Sequence, residues 1–278
     1  MNEKIIDSHC HLDMPAFDQD RQQVLEKARA AGVMGFVVPG TTRDSWQKIL
    51  DLAAGETDVY PALGLHPYFC AEHNTAQVDQ LRTLAEKMGP VAIGEIGLDF
   101  FRPDLDQDLQ LELFELQLQV AQDLELPVIL HTRKAHEQVL KLLKQYPVRS
   151  GISHAFNGSW QQARQYMDMG FCLGFGGMLT YERSSKLRTL AAKLPLEHLV
   201  LETDAPDMPG AAHQYQRNSP EYLPEVLDVL SEIRSESRQS IAATTTINVC
   251  RVLTSTLSYS KLHKWQGEDI MQHIVLKG

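Results

Sequence analysis

Two histidines one residue apart follow a short apolar pair near the start of the chain, in Ile5-Ile6-Asp7-Ser8-His9-Cys10-His11. If this segment is a β-strand, successive side chains point to opposite faces, so His9 and His11 share a face and Cys10 points away. Two imidazoles held this close can bind one metal ion. An isolated pair of this kind is more often an ordinary surface feature, so a metal site requires further ligands from elsewhere in the chain.

Further histidines and carboxylates stand at the ends of other apolar segments. The side chains at these positions are His9, His11, His66, Glu95, His131, His154 and Asp204. Five of the 11 histidines are among them, and the ends of parallel strands in a barrel converge on one rim. The sequence therefore predicts a metal site at this rim. The ligands exceed what one tetrahedral ion uses, which favours a two-metal centre with Glu95 as a bridging carboxylate.

Short apolar segments alternate regularly with longer amphipathic ones. The predicted strands are Ile5–His9, Val33–Val38, Val59–Gly64, Val91–Glu95, Val128–His131, Gly151–His154, Phe171–Phe175 and Leu199–Thr203. The predicted helices are Asp18–Ala31, Asp44–Ala54, Ala76–Met88, Leu105–Leu124, Lys134–Tyr146, Ser159–Met169, Glu182–Ala192, Ser219–Arg234 and Ile241–Leu253. This alternation predicts an α/β fold, a single (β/α)8 barrel of the TIM type with its metal site at the C-terminal ends of the strands. A doubly wound open sheet is the alternative, but no Gly-x-Gly-x-x-Gly motif follows the first strand.

The composition restricts the partners of the protein. The chain of 278 residues has a net charge of −10 and no basic run, so we expect only local contacts with phosphate and a shallow dependence of affinity on salt. The N-terminus leads directly into the first strand and no apolar run approaches the ~20 residues of a membrane span, so neither a signal peptide nor a membrane contact is predicted. The four cysteines are scattered, as in reduced cytoplasmic proteins, and we expect a cytoplasmic monomer.

We expect one barrel domain at 1–253 and a C-terminal extension of unassigned structure at 254–278.

Six motifs resemble, in order along the chain, those of the TatD family of metal-dependent deoxyribonucleases. They are Asp7-Ser8-His9-Cys10-His11-Leu12-Asp13, Gly64-Leu65-His66-Pro67, Gly94-Glu95-Ile96-Gly97-Leu98-Asp99, Leu130-His131, His154 and Leu201-Glu202-Thr203-Asp204-Ala205-Pro206. The resemblance covers about Ile5 to Leu253 and implies a βα barrel that hydrolyses phosphodiesters with bound metals, often as a 3′–5′ exonuclease on DNA. It implies one metal held by His9, His11, Glu95 and Asp204. It implies a second metal held by Glu95, His131 and His154, with His66 beside the substrate phosphate.

The residue types agree with phosphodiester hydrolysis. Two divalent metal ions can clamp the attacking and leaving oxygens and activate a water near neutral pH. Asp204 is the predicted proton acceptor and Glu202 a residue that orients the ligands, so the predicted catalytic residues are Asp204, Glu95 and His66. Mixed imidazole and carboxylate ligands favour Zn, Mn or Fe, with Mg as a weaker alternative. The expected substrates are DNA ends or short oligonucleotides.

Two other functions fit parts of this pattern. A metal-dependent amidohydrolase, lactonase or phosphotriesterase also carries His-x-His at its first strand, but binuclear members of that group often bridge their metals with a modified lysine. Here the fourth predicted strand ends in Glu95 instead. The third alternative is a metal-binding scaffold without activity, which fits less well because structural metal sites are usually closed.

Two other residues near the predicted rim can be interpreted either as functional or as purely structural. Arg133 could contact a phosphate or simply begin a helix, and Phe101 could stack on a base or pack within its loop. The remaining histidines fall in predicted helices or connections, and we expect them to be ordinary surface residues. They are His73, His136, His198, His213, His263 and His273.

Overall fold

The computed structural model describes residues 3–253 of the chain. Eight strands are formed: β1 Ile5–Asp7, β2 Val33–Pro39, β3 Val59–Leu63, β4 Ala92–Asp99, β5 Val128–Arg133, β6 Gly151–Ser153, β7 Phe171–Phe175 and β8 Leu199–Leu201. They form one sheet in the order β1 to β8, and every neighbouring pair is parallel. The backbone N–H of Ser8 donates to the carbonyl of Leu201 at 2.9 Å and brings the first strand against the last. The predicted barrel is therefore confirmed.

Helices alternate with the strands. They are α1 Arg21–Ala31, α2 Ser45–Gly55, α3 Thr75–Met88, α4 Gln107–Asp123, α5 His136–Gln145, α6 Trp160–Asp168, α7 Ser185–Lys193, α8 Leu223–Ile233 and α9 Arg238–Leu253. The predicted helices are all present, and their ends differ by a few residues from the sequence prediction. None of the helices between residues 3 and 253 is both long and apolar enough to cross a membrane.

Two apolar layers lie on opposite faces of the strands. Ile5, Phe36 and Leu130 belong to a large outer cluster that includes the buried faces of the surrounding helices. Their strand neighbours Ile6 and Val37 belong to a separate inner cluster. This alternation follows from the two-residue period of a strand, and it places the inner cluster inside the barrel.

Helix α9 closes the N-terminal end of the barrel, which we call the base. Its residues Val249 and Leu253 are fully buried and belong to the inner cluster. The side-chain amide of Asn248 donates to the carbonyls of Leu196 and Leu199, both at 2.8 Å, just where β8 begins. The base is therefore sealed by apolar packing and by hydrogen bonds to the helix.

Strand β4 corrects one detail of the sequence prediction. The strand was expected to end at Glu95, but it continues to Asp99, so Glu95 lies within it. The pairing of β4 with β5 shifts between Ile93 and Ile96, which leaves two residues opposite one and is the pattern of a β-bulge. Gly97 then adopts a φ of +140°, and a Cβ there would lie 2.0 Å from the carbonyl oxygen of His131. Only glycine fits this close approach of the two strands.

Candidate metal centre

All seven residues predicted at the rim meet at the C-terminal end of the barrel, which we call the mouth. They are His9, His11, His66, Glu95, His131, His154 and Asp204, and they come from six different strands or the segments that follow them. Five of them are at least 92% buried, namely His9, His11, His66, Glu95 and His154. Side chains separated by almost 200 residues of sequence thus form one cluster.

Glu95 stands at the centre of this cluster. Its Oε2 lies 3.1 Å from Nε2 of His9 and 3.5 Å from Nε2 of His11. Its Oε1 lies 3.1 Å from Nε2 of His66 and 3.1 Å from Nδ1 of His131. Each carboxylate oxygen therefore faces its own pair of imidazoles, which is the arrangement of a carboxylate that bridges two cation sites.

Asp204 and His154 complete the side of the cluster that contains His9. Oδ1 of Asp204 lies 3.6 Å from Nε2 of His9, 3.5 Å from Nε2 of His11 and 3.7 Å from Nε2 of His154. The ring of His154 stacks on that of His9 with centroids 3.7 Å apart. The geometry thus groups His154 with His9 and Asp204, and groups His66 with Glu95 and His131.

The spacing of the donor atoms fits divalent cations. Within each of three groups, the nitrogen and oxygen atoms lie within 4.8 Å of one another. Nε2 of His9 and Nε2 of His11 are 3.2 Å apart, close to the ~3.3 Å that separates two nitrogens bound at about 2.0 Å to one tetrahedral ion. Imidazole nitrogen and carboxylate oxygen together are typical ligands of Zn, Mn or Fe.

The electrostatics of the cluster favour positive charge. Burial favours the neutral acid of Glu95, but the imidazoles of His66 and His9 hold the pKa of this carboxyl well below its usual range. Burial also disfavours a charged His154, yet the carboxylates of Glu202 and Asp204 raise the pKa of this imidazole to about 10. The buried acids therefore attract cationic charge to the mouth, as a metal site requires.

Two further carboxylates lie beside histidines of the cluster, on the side away from its centre. Oε1 of Glu202 accepts the backbone N–H of Ala155 at 2.7 Å and lies 3.0 Å from Nδ1 of His154, where the sequence analysis placed an orienting residue. Asp99 was not among the predicted site residues, and its Oδ2 lies 3.1 Å from Nε2 of His131. The available signal was its position four residues after Glu95, since such residues on a strand share a face.

Asp7 is a second residue whose role the sequence analysis missed. Its Oδ1 accepts the backbone N–H groups of His9 at 3.2 Å and Thr203 at 3.0 Å, and its Oδ2 accepts the hydroxyl of Thr203 at 2.6 Å. Burial raises the pKa of Asp7 to about 7, against the hydrogen bonds from Thr203 and His9, which lower it. Asp7 thus connects the first strand to the segment after the last and fixes the backbone that presents His9.

The expectation of surface positions was wrong for two histidines outside the cluster. His73 and His136 are only 6% and 8% exposed. His73 forms a hydrogen bond through Nε2 with the carbonyl of His66 at 3.2 Å, and His136 lies 3.2 Å from the hydroxyl of Tyr166. These contacts, with the segment that carries His66 and with helix α6, depend on tertiary structure. His198 and His213 are half-buried, while the predictions for His263 and His273 lie outside the described residues.

A cavity of about 1000 Å³ opens above the metal centre. Its floor includes His11, Glu95 and Asp204, and its wall includes the apolar side chains of Trp160 and Leu187. Such a volume, with a few polar groups at one end and an apolar wall, is typical of a small-molecule or nucleotide site.

The comparisons with known proteins all indicate the same family. A family model described as TatD related DNase matches residues 6–254. The uncharacterized metal-dependent hydrolase YjjV of Escherichia coli K12 is 43% identical over 242 residues, which are 86% of this chain and 93% of that protein. The crystal structure of this TatD homolog superposes with a TM-score of 0.87 and 41% identity, covering 90% of this chain and 98% of that one. The 3′-5′ ssDNA/RNA exonuclease TatD of Erwinia tasmaniensis is 34% identical over 257 residues, 89% of this chain and 99% of that protein.

Proposed function

The chain belongs to the family of TatD related DNases and is a metal-dependent hydrolase, and we propose that it cleaves phosphodiester bonds at the ends of single-stranded DNA or short oligonucleotides with two divalent cations. The observation that carries this proposal is the position of Glu95, whose two oxygens face separate pairs of imidazoles. The exonuclease of Erwinia tasmaniensis, named for ssDNA and RNA, supports the choice of a single strand. Divalent cations bound here would neutralise the negative charge that builds up on the phosphate oxygens.

We propose that His9, His11, Glu95 and Asp204 hold one cation, and that Glu95, His131 and His154 hold the other. The second set differs from the spatial groups, in which His154 lies with His9 and Asp204 and His66 lies with Glu95 and His131, and the orientations of these two rings support the exchange. The orientation of His154 supports its place as a ligand. Its Nδ1 lies 3.0 Å from Oε1 of Glu202, so in the neutral ring that a cation would bind, the proton is on Nδ1 and the lone pair of Nε2 faces Asp204 in the cluster. A carboxylate behind a histidine is the usual means of orienting a metal ligand.

His66 has the opposite orientation and suits contact with the substrate. Its Nδ1 accepts the backbone N–H of Tyr68 at 3.0 Å, so in the neutral ring the proton is on Nε2. Burial lowers the pKa of His66 to about 4, which keeps the ring neutral. A protonated Nε2 can donate a hydrogen bond to a phosphate oxygen, which supports a role for His66 beside the phosphate and not as a ligand.

We assign proton acceptance to Asp204. Its carboxylate lies on the open side of the cluster, with 15% of its side chain exposed to the cavity, whereas the side chain of Glu95 is only 2% exposed. An ionised carboxylate beside the attacking water can take its proton, a contribution of roughly 10²- to 10⁴-fold in rate. The nearby imidazoles of His154 and His11 lower the pKa of Asp204 against the effect of burial and keep it ionised.

Metal removal and replacement tests this function. We expect thorough chelation to abolish hydrolysis of a 5′-labelled single-stranded oligonucleotide and of bis(4-nitrophenyl) phosphate, and Zn²⁺ or Mn²⁺ to restore it. A lactone and an anilide in the same assay test the amidohydrolase and lactonase alternative. Phosphodiester cleavage that survives metal removal, or hydrolysis confined to the lactone or anilide, would contradict the proposal.

Two alanine variants test the ligand assignment by elemental analysis. His154→Ala should retain one of the two cations per chain, whereas His66→Ala should retain both and lose turnover. If His66→Ala loses a cation and His154→Ala does not, the roles of these two histidines are reversed.

A further inference from the structure

Four exposed basic side chains lie along one side of the barrel, from the mouth towards the base. Arg133 ends β5 at the rim, Lys134 follows it, and Lys141 and Lys144 continue along α5. No carboxylate lies within 4.0 Å of any of these four cations in the part of the chain from residue 3 to residue 253. Lys87 and Lys193 also lack an ion pair in this part of the chain, so what distinguishes the four cations is their grouping on one side of a protein of net charge −10.

These cations line a groove that begins at the metal centre. A depression of about 670 Å³ contains Arg133, Lys134, Asn157 and Gly158, and three of these residues also line the cavity above the metals, namely Arg133, Asn157 and Gly158. A second depression, of about 490 Å³, continues between α5 and α6 and contains Lys141 and Lys144. The two depressions share Glu137 and Gln162. We call this continuous feature the α5–α6 groove.

The lining of the groove suits a polyanion. Its acidic member among the described residues is Glu137, and its other polar members are mainly glutamines and asparagine. Nζ of Lys144 donates to the neutral amide of Gln165 at 2.9 Å, so the full positive charge of the lysine remains available. Helix α5 has 10 residues and rises about 15 Å, so cations at its two ends can contact different phosphates of one strand.

Aromatic rings stand where the groove meets the cavity. The ring of Phe101 is 52% exposed and carries the guanidinium of Arg133 at 3.9 Å from its centroid. Trp160, at the first residue of α6, is 40% exposed and lines the cavity above the metals. Exposed rings beside a basic track are the features with which proteins bind single strands without sequence preference.

We propose that the α5–α6 groove binds the phosphate backbone of the single strand whose terminal phosphodiester lies at the metal centre. This proposal rests on the proposed function and extends it, because it makes the preferred substrate a strand of several nucleotides. Arg133 and Lys134 contact the phosphates nearest the reacting end, and Lys141 and Lys144 contact those further along. Phosphate contacts carry no sequence information, so DNA and RNA strands bind this groove alike.

The double variant Lys141→Gln/Lys144→Gln tests the groove. Binding of a fluorescent 12-nucleotide single strand is measured by anisotropy between 50 and 300 mM salt, once with DNA and once with RNA. Removing two cation–phosphate contacts should reduce the slope of log affinity against log salt by about 1.4 and weaken binding about 25-fold at 0.1 M salt. Hydrolysis of bis(4-nitrophenyl) phosphate should be unchanged, since this substrate is too short to reach either lysine.

A matched control separates the groove from net charge. Lys87→Gln/Lys193→Gln removes the same charge from two exposed lysines in the last turns of α3 and α7, near the base. This control should bind the 12-mer as the wild type does. Equal losses in both double variants, or an unchanged salt slope in the groove variant, would overturn the groove proposal. So would an oligoglutamate of equal charge that displaces the 12-mer as well as an unlabelled strand does.

If the proposed function is wrong, the experiments give a result that differs from a failure of the groove proposal. In that case the wild-type protein cleaves neither the oligonucleotide nor bis(4-nitrophenyl) phosphate with any metal. The anisotropy measurement does not depend on cleavage, so it tests whether the groove binds the strand independently of enzyme activity. A groove variant with normal binding in an active enzyme refutes the groove alone.

Discussion

The two ends of this barrel are lined by opposite kinds of side chain. At the mouth, inward-facing positions carry histidines and carboxylates, and Glu95 is 1% exposed among four imidazoles. At the base, inward-facing positions carry residues such as Ile6 and Ile152, and α9 adds Val249 and Leu253 to the same apolar cluster. The same eight strands therefore supply a charged end and an apolar end.

This difference separates stability from function. Burial of apolar surface stabilises the fold by about 25 cal/mol per Å². Buried charges lose hydration, and their mutual attraction compensates for this loss only when the geometry is good. The base can therefore stabilise the barrel while the mouth keeps groups whose arrangement serves metal binding. Mutations at the two ends should affect different measurements.

The largest expected effect is at the mouth, for Glu95→Gln. The amide keeps the shape of the side chain but removes the negative charge that faces both pairs of imidazoles. We expect turnover on a phosphodiester to fall at least about 10³-fold, because both cation sites lose a shared anionic ligand. Elemental analysis should show less than one cation per chain, while far-UV circular dichroism stays unchanged. Full metal content in this variant would mean that Glu95 does not bridge.

The second prediction concerns the base, for Leu253→Ala. The side chain of Leu253 is fully buried in the inner cluster, so its truncation leaves a cavity beneath the strands. We expect the free energy of unfolding to fall by about 2–4 kcal/mol in urea titrations. The turnover number below the melting transition should be unchanged. A loss of turnover at full folding would show that the base and the mouth are coupled, and would end the separation of stability from function.

Most of the barrel, and the meeting of the candidate ligands at one end of it, could be predicted from the sequence. The alternation of apolar and amphipathic segments determines the order of strands, and parallel strands bring their C-terminal ends together wherever the chain places them. His9, His131 and Asp204 therefore converge as a consequence of topology. This inference needs no knowledge of side-chain packing, which is why it is accurate for residues so far apart in the chain.

Features that depend on local packing could not be predicted. The bulge around Glu95 is followed by the close contact of Gly97 with β5, and hydrophobicity patterns contain information on neither feature. The burial of His136 depends on its contacts with Tyr166 and Asn157, which belong to other segments. The basic residues of the α5–α6 groove follow one another at intervals of one, seven and three residues, and they form no long run that a count of charge along the sequence would detect.

The smallest expected effect is for Asp7→Asn. Asp7 joins the first strand to the segment after the last strand at the mouth, whereas α9 seals the strands at the base, so this variant tests the join at the mouth. Asparagine keeps an oxygen that can accept the N–H groups of His9 and Thr203, and its amide can donate to the hydroxyl of Thr203, which reverses its role. Because burial already raises the pKa of Asp7 to about 7, removal of its charge should change the free energy of unfolding by about 1 kcal/mol or less at neutral pH. Asp7→Ala is the comparison: it leaves three buried donors without their acceptor and should destabilise the protein by roughly 2–4 kcal/mol. Urea titrations of both variants, with turnover measured beside them, separate the two cases. If Asn destabilises the protein as much as Ala does, the ionised carboxylate itself joins the first strand to the last, and stability then depends on charge at the mouth as well as on apolar packing at the base.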